Sequence, residues 1–409
     1  MGLPASTRQR LLAAAFLTVS ITACGGGSDT PTGPHPPAPP PAPAPAPAPS
    51  PQAVNWGVFP SAVRVLGKDN FDDGSMPSGA SPLRELNFPV GSPGVTSDGI
   101  LFIAELGATQ LKVFDQYMSA DGLEAAFTFS VDNGIPSGVS VHGRRLVVLE
   151  DSMVAIYNDV PGAPPSSAPD ATAGGTEGCS ASQLNRPRSA YITPLGQLVV
   201  ADTGNNRVLI WNEIPGAGDA LGDASVVVGQ VFKDKCAPND FNGDGTSEGT
   251  PRAETLNQPT SVWSDGVKLI VADRNNHRVL IWDTFPADDF EAPDHVLGQD
   301  NFISGAPNAG LAAPTASSLA DPMSVDVSES GQIAVVDRSN HRVLVWNAAP
   351  SARTAPADQV IGQPGPLAGA GSPASIRTLD EPSGVRFDGR NMIVVDTGNN
   401  RVLVFRALD

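Results

Sequence analysis

Apolar residues in this chain occur in paired runs that are separated by a short polar turn. The four clearest pairs are VVADTGNNRVLIWN (residues 199–212), IVADRNNHRVLIWD (270–283), VVDRSNHRVLVWN (335–347) and VVDTGNNRVLVF (394–405). β-Branched residues fill both runs, which predicts two antiparallel strands joined as a hairpin. Nearly every position is apolar instead of every second one, so we expect both faces of each hairpin to be covered by other sheets.

Each hairpin belongs to a longer unit that recurs at roughly 60 to 70 residues, a spacing that indicates an array of small sheets. A Leu-x-x-Pro step precedes the hairpins, at 184–187, 256–259, 319–322 and 379–382. A strand with a Gly-Gln ending follows three of them, at 225–232, 295–302 and 359–365. Each unit is therefore predicted to hold four strands, which we call a to d in chain order.

Two degenerate units precede these four, and one strand is displaced to the other end of the chain. Residues 103–115 align with the first hairpin, with Glu105 in place of the Asp and Gln110 in place of the Arg, and a shortened hairpin occupies 146–158. The last unit has three strands, and residues 63–71 (VRVLGKDNF) resemble its missing strand d. An N-terminal strand that completes the C-terminal sheet closes a ring.

The Asp, Asn-Asn or Asn-His, Arg-Val signature of the four hairpins, at 202–208, 273–279, 337–343 and 396–402, resembles the NHL repeat. The resemblance implies an all-β, six-bladed β-propeller with four-stranded antiparallel blades over residues 53–409. It specifies the fold better than the function, because NHL propellers serve as protein-binding, RNA-binding, sensor and, in a few branches, enzymatic domains.

The signature residues have a structural interpretation. In each turn the Asp carboxylate is expected to bind the turn amides and the guanidinium of the Arg that opens the next strand. The predicted pairs are Asp202 with Arg207, Asp273 with Arg278, Asp337 with Arg342, and Asp396 with Arg401. The aromatic residues at the hairpin ends are expected to be wedges between blades. They are Trp211, Trp282, Trp346 and Phe405.

The first 52 residues have the composition of an export signal followed by a spacer. An apolar run of about 13 residues is too short to span a bilayer and fits a secretory signal. It ends in Ile-Thr-Ala-Cys, which resembles the lipobox of bacterial lipoproteins. Residues 1–23 are therefore predicted to be a signal peptide, Cys24 to be lipidated, and residues 24–52 to be a disordered Pro/Ala-rich stalk. In bacterial lipoproteins, an Asp directly after the acylated cysteine tends to keep the protein in the inner membrane. Gly25 stands at this position, which favours the outer membrane if the host has one.

The net charge of the chain limits the classes of partner that it can bind. The chain has a net charge of −18, and a polyanion repels nucleic acid, so we expect a monomeric propeller that binds no nucleic acid.

Cys179 and Cys236 lie in long loops before equivalent units. In an exported protein such a pair is a disulfide candidate, and two free thiols are the alternative.

The d-to-a loops and the b-to-c turns are expected to share one face of the propeller. Candidate binding residues in these turns are Asn205, Asn206, His277, His341 and Asn400. Loops on a rigid scaffold are the usual place for recognition. The sequence therefore favours a recognition or scaffolding module that is anchored to the cell envelope by its lipid and binds a protein, peptide or glycan on this face.

The alternative function is a metal-dependent propeller enzyme of the lyase or lactonase type, which needs metal ligands in the channel. The starts of the inner strands offer Ser189, Ser261, Ser324, Gly384 and Gly138 where related lyases have histidines. We therefore assign no catalytic residue and expect no cofactor.

A loop at 240–245 reproduces the first half of an EF-hand calcium loop, which makes Asp240, Asn242 and Asp244 candidate ligands of a structural calcium ion. The twelfth position of the motif is Pro251 instead of Glu. The alternative is a turn rich in Asn, Gly and Asp.

Overall fold

The computed structural model describes residues 53–408 apart from 132–133, 165–167, 215–218 and 351–353. The described residues form 25 strands and five short 3₁₀-helices. The strands are β1 (Ala62–Leu66), β2 (Pro89–Val95), β3 (Leu101–Glu105), β4 (Gln110–Phe114), β5 (Phe127–Ser130), β6 (Gly138–His142), β7 (Arg145–Leu149), β8 (Met153–Tyr157), β9 (Ala171–Gly174), β10 (Ser189–Ile192), β11 (Leu198–Asp202), β12 (Arg207–Trp211), β13 (Asp219–Ala220), β14 (Val226–Val228), β15 (Pro259–Ser264), β16 (Leu269–Asp273), β17 (Arg278–Trp282), β18 (His295–Leu297), β19 (Pro322–Val327), β20 (Ile333–Asp337), β21 (Arg342–Trp346), β22 (Gln359–Ile361), β23 (Gly384–Asp388), β24 (Asn391–Asp396) and β25 (Arg401–Arg406). The 3₁₀-helices are Thr203–Asn205, Arg274–Asn276, Pro307–Gly310, Arg338–Asn340 and Thr397–Asn399.

The strands form six sheets, each of which is one blade of a propeller. From the inner strand outward, the blades are β2-β3-β4-β5, β6-β7-β8-β9, β10-β11-β12-β14, β15-β16-β17-β18, β19-β20-β21-β22 and β23-β24-β25-β1, numbered blades 1 to 6. Neighbouring strands in this order are antiparallel, as predicted. Blade 2 also has a fifth, two-residue strand, β13, which pairs parallel to β9 and comes from the connection between the last two strands of blade 3.

The ring is closed at blade 6 by the first strand of the chain. The inner strands pack in the order β2, β6, β10, β15, β19 and β23, and β23 packs against β2. β1 pairs antiparallel with β25, with Ala62 opposite Phe405 and Leu66 opposite Val402. The predicted closure is thus confirmed. Ahead of β1, Trp56 is fully buried against Phe387, with the ring centroids 5.8 Å apart.

Apolar layers between neighbouring blades explain why the strands are apolar at successive positions. Side chains alternate between the two faces of a strand. On β11, Leu198 and Val200 join the layer that faces blade 2, whereas Val199 and Ala201 join the layer that faces blade 4. The hairpin aromatics Trp211, Trp282, Trp346 and Phe405 lie in these layers and are buried.

The predicted signal peptide, Cys24 and the stalk fall in residues 1–52, outside the described residues. In the part of the chain that the structure describes, no helix combines the length and the apolar character needed to span a bilayer.

Candidate functional site

Four b-to-c turns each hold a fully buried ion pair. In blade 4, Asp273 Oδ2 lies 2.7 Å from Arg278 Nε, and both side chains are 0% exposed. The equivalent pairs, at 2.7 to 2.8 Å, are Asp202 with Arg207, Asp337 with Arg342, and Asp396 with Arg401. Arg278 Nη2 also donates to the carbonyls of Arg252 and Thr255, at 2.9 and 2.8 Å. Each arginine thus ties its turn to the preceding d-to-a loop.

The carboxylates in these turns accept a backbone N–H of the Leu-x-x-Pro segment. They do not accept the backbone N–H groups of the turn itself, which we expected. Asp273 Oδ1 accepts a hydrogen bond from the backbone nitrogen of Asn257 at 2.8 Å, and Oδ2 accepts one from the Asn276 side chain at 2.8 Å. The 3₁₀ turn is closed by its own backbone hydrogen bond, from His277 N to Arg274 O, and its Asp makes no cap bond. Burial raises the pKa of Asp273, and the charge of Arg278 opposes this rise.

The residue that ends each turn links its blade to the next one. Asn206, His277, His341 and Asn400 all have left-handed backbones, with φ between 51° and 55°. Their side chains accept backbone N–H groups of the following blade: Gln258 to Asn206 Oδ1 (2.9 Å), Asp321 to His277 Nδ1 (3.0 Å), Glu381 to His341 Nδ1 (3.1 Å) and Phe88 to Asn400 Oδ1 (3.0 Å). We call this contact the interblade clasp.

The clasp changes the interpretation of the five residues proposed as a binding face. Asn205, Asn206 and Asn400 are 3%, 7% and 1% exposed, and Asn205 donates to the carbonyl of Gly178 and to Asp202. His277 and His341 are half-buried and use Nδ1 in the clasp. The d-to-a loops cover these side chains, which hold the ring together, so the hypothesis that they form a free ligand surface is revised.

Replacing His277 by Asn is expected to preserve stability near neutral pH and to remove a loss of stability in acid. Asn fits, because Asn206 and Asn400 make the same clasp. Burial lowers the pKa of His277, whose Nδ1 must stay unprotonated to accept its hydrogen bond. A group with a depressed folded pKa loses stability as the pH falls below the unfolded value of about 6.5, because only the unfolded chain takes up the proton.

The measurement is urea unfolding of both proteins at about pH 7.5 and about pH 5, on either side of the ordinary histidine pKa. A smaller acid-induced decrease in the free energy of unfolding is expected for His277→Asn. Identical decreases in the two proteins would contradict the clasp.

Blade 1 keeps a buried ion pair with different residues. Gln110 Nε2 donates to Glu105 Oε2 at 2.9 Å, and Lys112 Nζ lies 3.2 Å from Glu105 Oε1. The Lys112 and Glu105 side chains are 2% and 0% exposed. Burial lowers the pKa of Lys112, and Glu105 opposes this shift. Sequence reasoning missed Lys112, although a lysine within an otherwise apolar strand was the available signal.

The loops that precede blades 3 and 4 are joined by a disulfide. Cys179 and Cys236 are bonded, with their Cα atoms 6.2 Å apart. The same loops cover the turn of blade 3, since Arg207 Nη1 donates to the Cys179 carbonyl at 3.2 Å and Asn206 Nδ2 to the Cys236 carbonyl at 2.8 Å. Of the two alternatives for the cysteines, the structure contains the disulfide.

The EF-hand-like loop is organised by side chains that accept backbone N–H groups. Asp240 accepts from Gly243 and Gly245, both at 2.8 Å, while Asn242 and Asp244 accept from the backbone two residues further on, at 2.9 and 2.8 Å. This pattern is typical of turns rich in Asn and Asp. Calcium binding by Asp240, Asn242 and Asp244 stays a prediction from the sequence.

The inner strands meet closely at the propeller axis. Serine hydroxyls accept backbone N–H groups from the next inner strand: Val262 to Ser189 (3.2 Å), Val325 to Ser261 (3.1 Å) and Val385 to Ser324 (3.2 Å). A Cβ on Gly384 would lie 1.9 Å from a carbonyl oxygen of β2, and one on Gly138 would lie 2.8 Å from the carbonyl of Arg188. The axial cavity between the inner strands is about 20 Å³, roughly the space of one water molecule.

A larger pocket opens on the axis at the face of the a-to-b turns, opposite the d-to-a loops. Its volume is about 500 Å³, and every blade contributes to its wall. We call it the axial pocket and define it by one residue from each blade: Thr96, Gly143, Tyr191, Trp263, Asp326 and Arg386. A second pocket of about 640 Å³ shares Tyr191 and Arg386 and extends over Arg144 and Arg145.

Aromatic rings and one ion pair give the axial pocket its chemistry. The Tyr191 and Trp263 rings are 6.2 Å apart, and His142 packs edge-on against Tyr191 at 4.2 Å. Asp326 Oδ1 lies 3.2 Å from Arg386 Nη1. Burial raises the pKa of Tyr191 and lowers the pKa of His142 to about 3. At neutral pH the Tyr191 and His142 rings are therefore uncharged, and Tyr191 lines the pocket together with Asp326 and Arg386.

None of the six residues that define the axial pocket was singled out from the sequence. A usable signal exists, because Tyr191 and Trp263 each follow an inner-strand serine by two positions. Alternation along a strand puts both members of such a pair on the same face. Among the described residues, no group of three or more His, Cys, Asp or Glu side chains is arranged to hold a metal ion.

Comparison with known families gives a match within blade 3. The sequence model of the NHL repeat matches residues 184–211, from the Leu-x-x-Pro step to the end of β12. The curated proteins compared with the chain include no match. Blades 4, 5 and 6 repeat the matched geometry, with the same buried Asp-Arg pair and the same clasp. The protein is therefore an NHL-repeat six-bladed β-propeller.

Proposed function

We propose that the protein is a recognition module of the cell envelope that binds a protein segment, peptide or glycan in the axial pocket. The observation that carries this proposal is the convergence of all six blades on one open pocket of about 500 Å³. Ligand sites are usually concave, with aromatic walls and a few fixed polar groups. The site therefore lies on the opposite face from the d-to-a loops that the sequence favoured.

The rings and the ion pair suit a ligand with both flat apolar faces and hydrogen-bonding groups. Tyr191 and Trp263 offer amphipathic surfaces, which are common at recognition sites. The Asp326 and Arg386 side chains are 5% and 21% exposed, so their pair is fixed by the surrounding strands. Asp326 Oδ2 also accepts the backbone N–H of Phe387 at 2.7 Å. A preformed polar group of this kind orients a ligand without a large ordering cost.

The experiment is capture of ligands from a cell-envelope extract by the wild-type protein and by Tyr191→Ala and Trp263→Ala variants. Loss of an aromatic anchor typically costs more than about 1.4 kcal/mol, which is tenfold in affinity. We therefore expect the variants to retain a tenth of the captured material or less. Protease and glycosidase treatment of the extract separates a peptide ligand from a glycan.

Phe232→Ala is the matched control, because Phe232 is an aromatic residue, 53% exposed, in the loop before blade 4 on the other face. Capture by this control should equal capture by the wild-type protein. Equal capture by all four proteins would refute the axial pocket as the site. Loss of capture in Phe232→Ala alone would indicate that the ligand binds on the d-to-a loop face instead.

Anchoring in the envelope is the second part of the proposal and rests on the sequence motif at Cys24 and on the Pro/Ala-rich segment after it. The lipid would tether the propeller to a membrane, with the outer membrane favoured if the host has one. The enzyme alternative requires a metal in the channel. In the described residues the inner strands of blades 2 to 6 offer serine or glycine where that alternative needs ligands, at Gly138, Ser189, Ser261, Ser324 and Gly384.

A further inference from the structure

Four arginines from three consecutive blades lie on the d-to-a loop face, and the charges of three of them act on the fourth, Arg188. Arg186 and Arg188 immediately precede β10 in blade 3. Arg274 and Arg338 are the first residues of the b-to-c turns in blades 4 and 5. Arg188 also lines the small axial cavity. We call these four residues the arginine mouth.

The arginine mouth contains more positive charge than its neighbouring carboxylates neutralise. Asp321 is shared, since it pairs with Arg274 Nε and lies 3.4 Å from Arg338 Nη1, and Glu381 lies 2.7 Å from Arg338 Nη2. Within the described part of the chain, Arg188 makes no ion pair and no side-chain hydrogen bond. Burial, followed by the charges of Arg274, Arg338 and Arg186, lowers the pKa of Arg188. The Arg188 guanidinium thus has no carboxylate in direct contact among the described residues, and the charge of Asp321, which acts on it without contact, only partly opposes the charges of the three other arginines.

The fold itself does not need arginine at these positions. The residues equivalent to Arg274 and Arg338 in blades 3 and 6 are Thr203 and Thr397. Their hydroxyls donate to the carbonyls of Pro259 and Pro89 of the next blade, at 2.6 and 2.8 Å. A short hydroxyl side chain therefore suffices to join neighbouring blades at this point.

The fold does not need arginine at the position of Arg188 either, because the equivalent residues of blades 4 and 6 are Thr260 and Ser383. The whole chain has 43 acidic residues against 25 basic ones. The arginine mouth, with four arginines and two carboxylates, reverses this ratio. Neither the repeat nor the overall composition accounts for the cluster.

We infer that the arginine mouth binds an oxyanion group, a carboxylate or a phosphate, with Arg188 as the central donor and Arg274 and Arg338 beside it. Guanidinium groups bind both oxyanions through paired N–H donors, and such charge-assisted hydrogen bonds are stronger than neutral ones. This site lies on the opposite face from the axial pocket and does not depend on the function proposed for that pocket.

The test is isothermal titration calorimetry of the full-length protein with citrate and, separately, inorganic phosphate at low ionic strength. The variants are Arg188→Thr, Arg274→Thr and Arg338→Thr, which introduce the residue that other blades carry. Hydrogen bonds to charged groups contribute enough that each variant should weaken binding by about tenfold or more. Binding of citrate alone identifies a carboxylate ligand, and binding of phosphate alone identifies a phosphate ligand.

Arg406→Thr is the control for a general loss of positive charge, because Arg406 is exposed at the end of β25. It should bind each anion as the wild-type protein does. Failure of the wild-type protein to bind either anion would overturn the inference, and so would an equal loss in Arg406→Thr. If Arg188→Thr does not fold, Arg274→Thr and Arg338→Thr decide, since Thr203 and Thr397 show that their sites accept threonine.

Discussion

Replacing Arg278 by Met is expected to lower the free energy of unfolding by about 3 to 5 kcal/mol, the usual cost of leaving one member of a buried ion pair alone. Met keeps much of the side-chain volume but removes the partner of Asp273, which is 0% exposed. It also removes the donor to the Arg252 and Thr255 carbonyls. Urea unfolding followed by tryptophan fluorescence measures the change.

Arg144→Met is the control for this variant. Arg144 pairs with Asp159 at 2.7 Å, but the two side chains are 85% and 74% exposed. Exposed pairs contribute less than about 1 kcal/mol, so this change should have little effect. Similar decreases in the free energy of unfolding of the two variants would show that burial of an ion pair does not determine how much it stabilises the fold.

The deficit of Arg278→Met should also depend on pH. Burial already raises the pKa of Asp273, and loss of Arg278 removes the charge that opposes the rise. A carboxyl whose folded pKa exceeds its unfolded value loses stability as the pH rises from the unfolded value, about 3.9, to the folded value. The difference in the free energy of unfolding between Arg278→Met and the wild-type protein should therefore be larger at neutral pH than near pH 4. A difference that grows as the pH falls would contradict the raised pKa of Asp273.

Replacing Leu66 by Ala is expected to cost about 2 to 5 kcal/mol, the range for a large-to-small change in a packed core. Leu66 is 0% exposed and belongs to the apolar layer between blades 6 and 1. It lies opposite Val402 at the end of the β1 and β25 pairing that closes the ring. Equilibrium unfolding in urea gives the change in free energy.

Leu408→Ala is the comparison for Leu66→Ala. Leu408 is 57% exposed, and exposed substitutions usually change stability by no more than about 0.5 kcal/mol. If Leu66→Ala unfolds at the same urea concentration as Leu408→Ala, β1 does not contribute to the closure of the ring as the structure indicates.

The parts of the fold that were predicted correctly are those that repeat along the chain. The four hairpins supply their own internal comparison, and residues 63–71 were identified because they resemble strand d of the other units. Closure through β1 and β25 followed from that resemblance. Local patterns determine these features, since alternation and turn chemistry act over a few residues.

The axial pocket could not be predicted in the same way, because its wall combines one or a few residues from every blade. Tyr191 and Trp263 lie far apart in sequence and become neighbours only when blades 3 and 4 pack against each other. Burial was also misjudged at Asn206 and Asn400, since polar turn residues are usually exposed. Their partners, Gln258 and Phe88, belong to the following blade, which a local pattern does not reveal.

The pairing of β1 with β25 has a consequence for the order in which the protein folds. β1 is synthesised before every other described strand and β25 after all of them, so the other five blades lie between the two partners. Joining such distant segments carries the entropic cost of a long loop and is slow. Blade 6 consequently stays incomplete until β25 has been synthesised, and in that interval the unpaired β1 and the outer edge of β25 are open to pairing with a neighbouring chain.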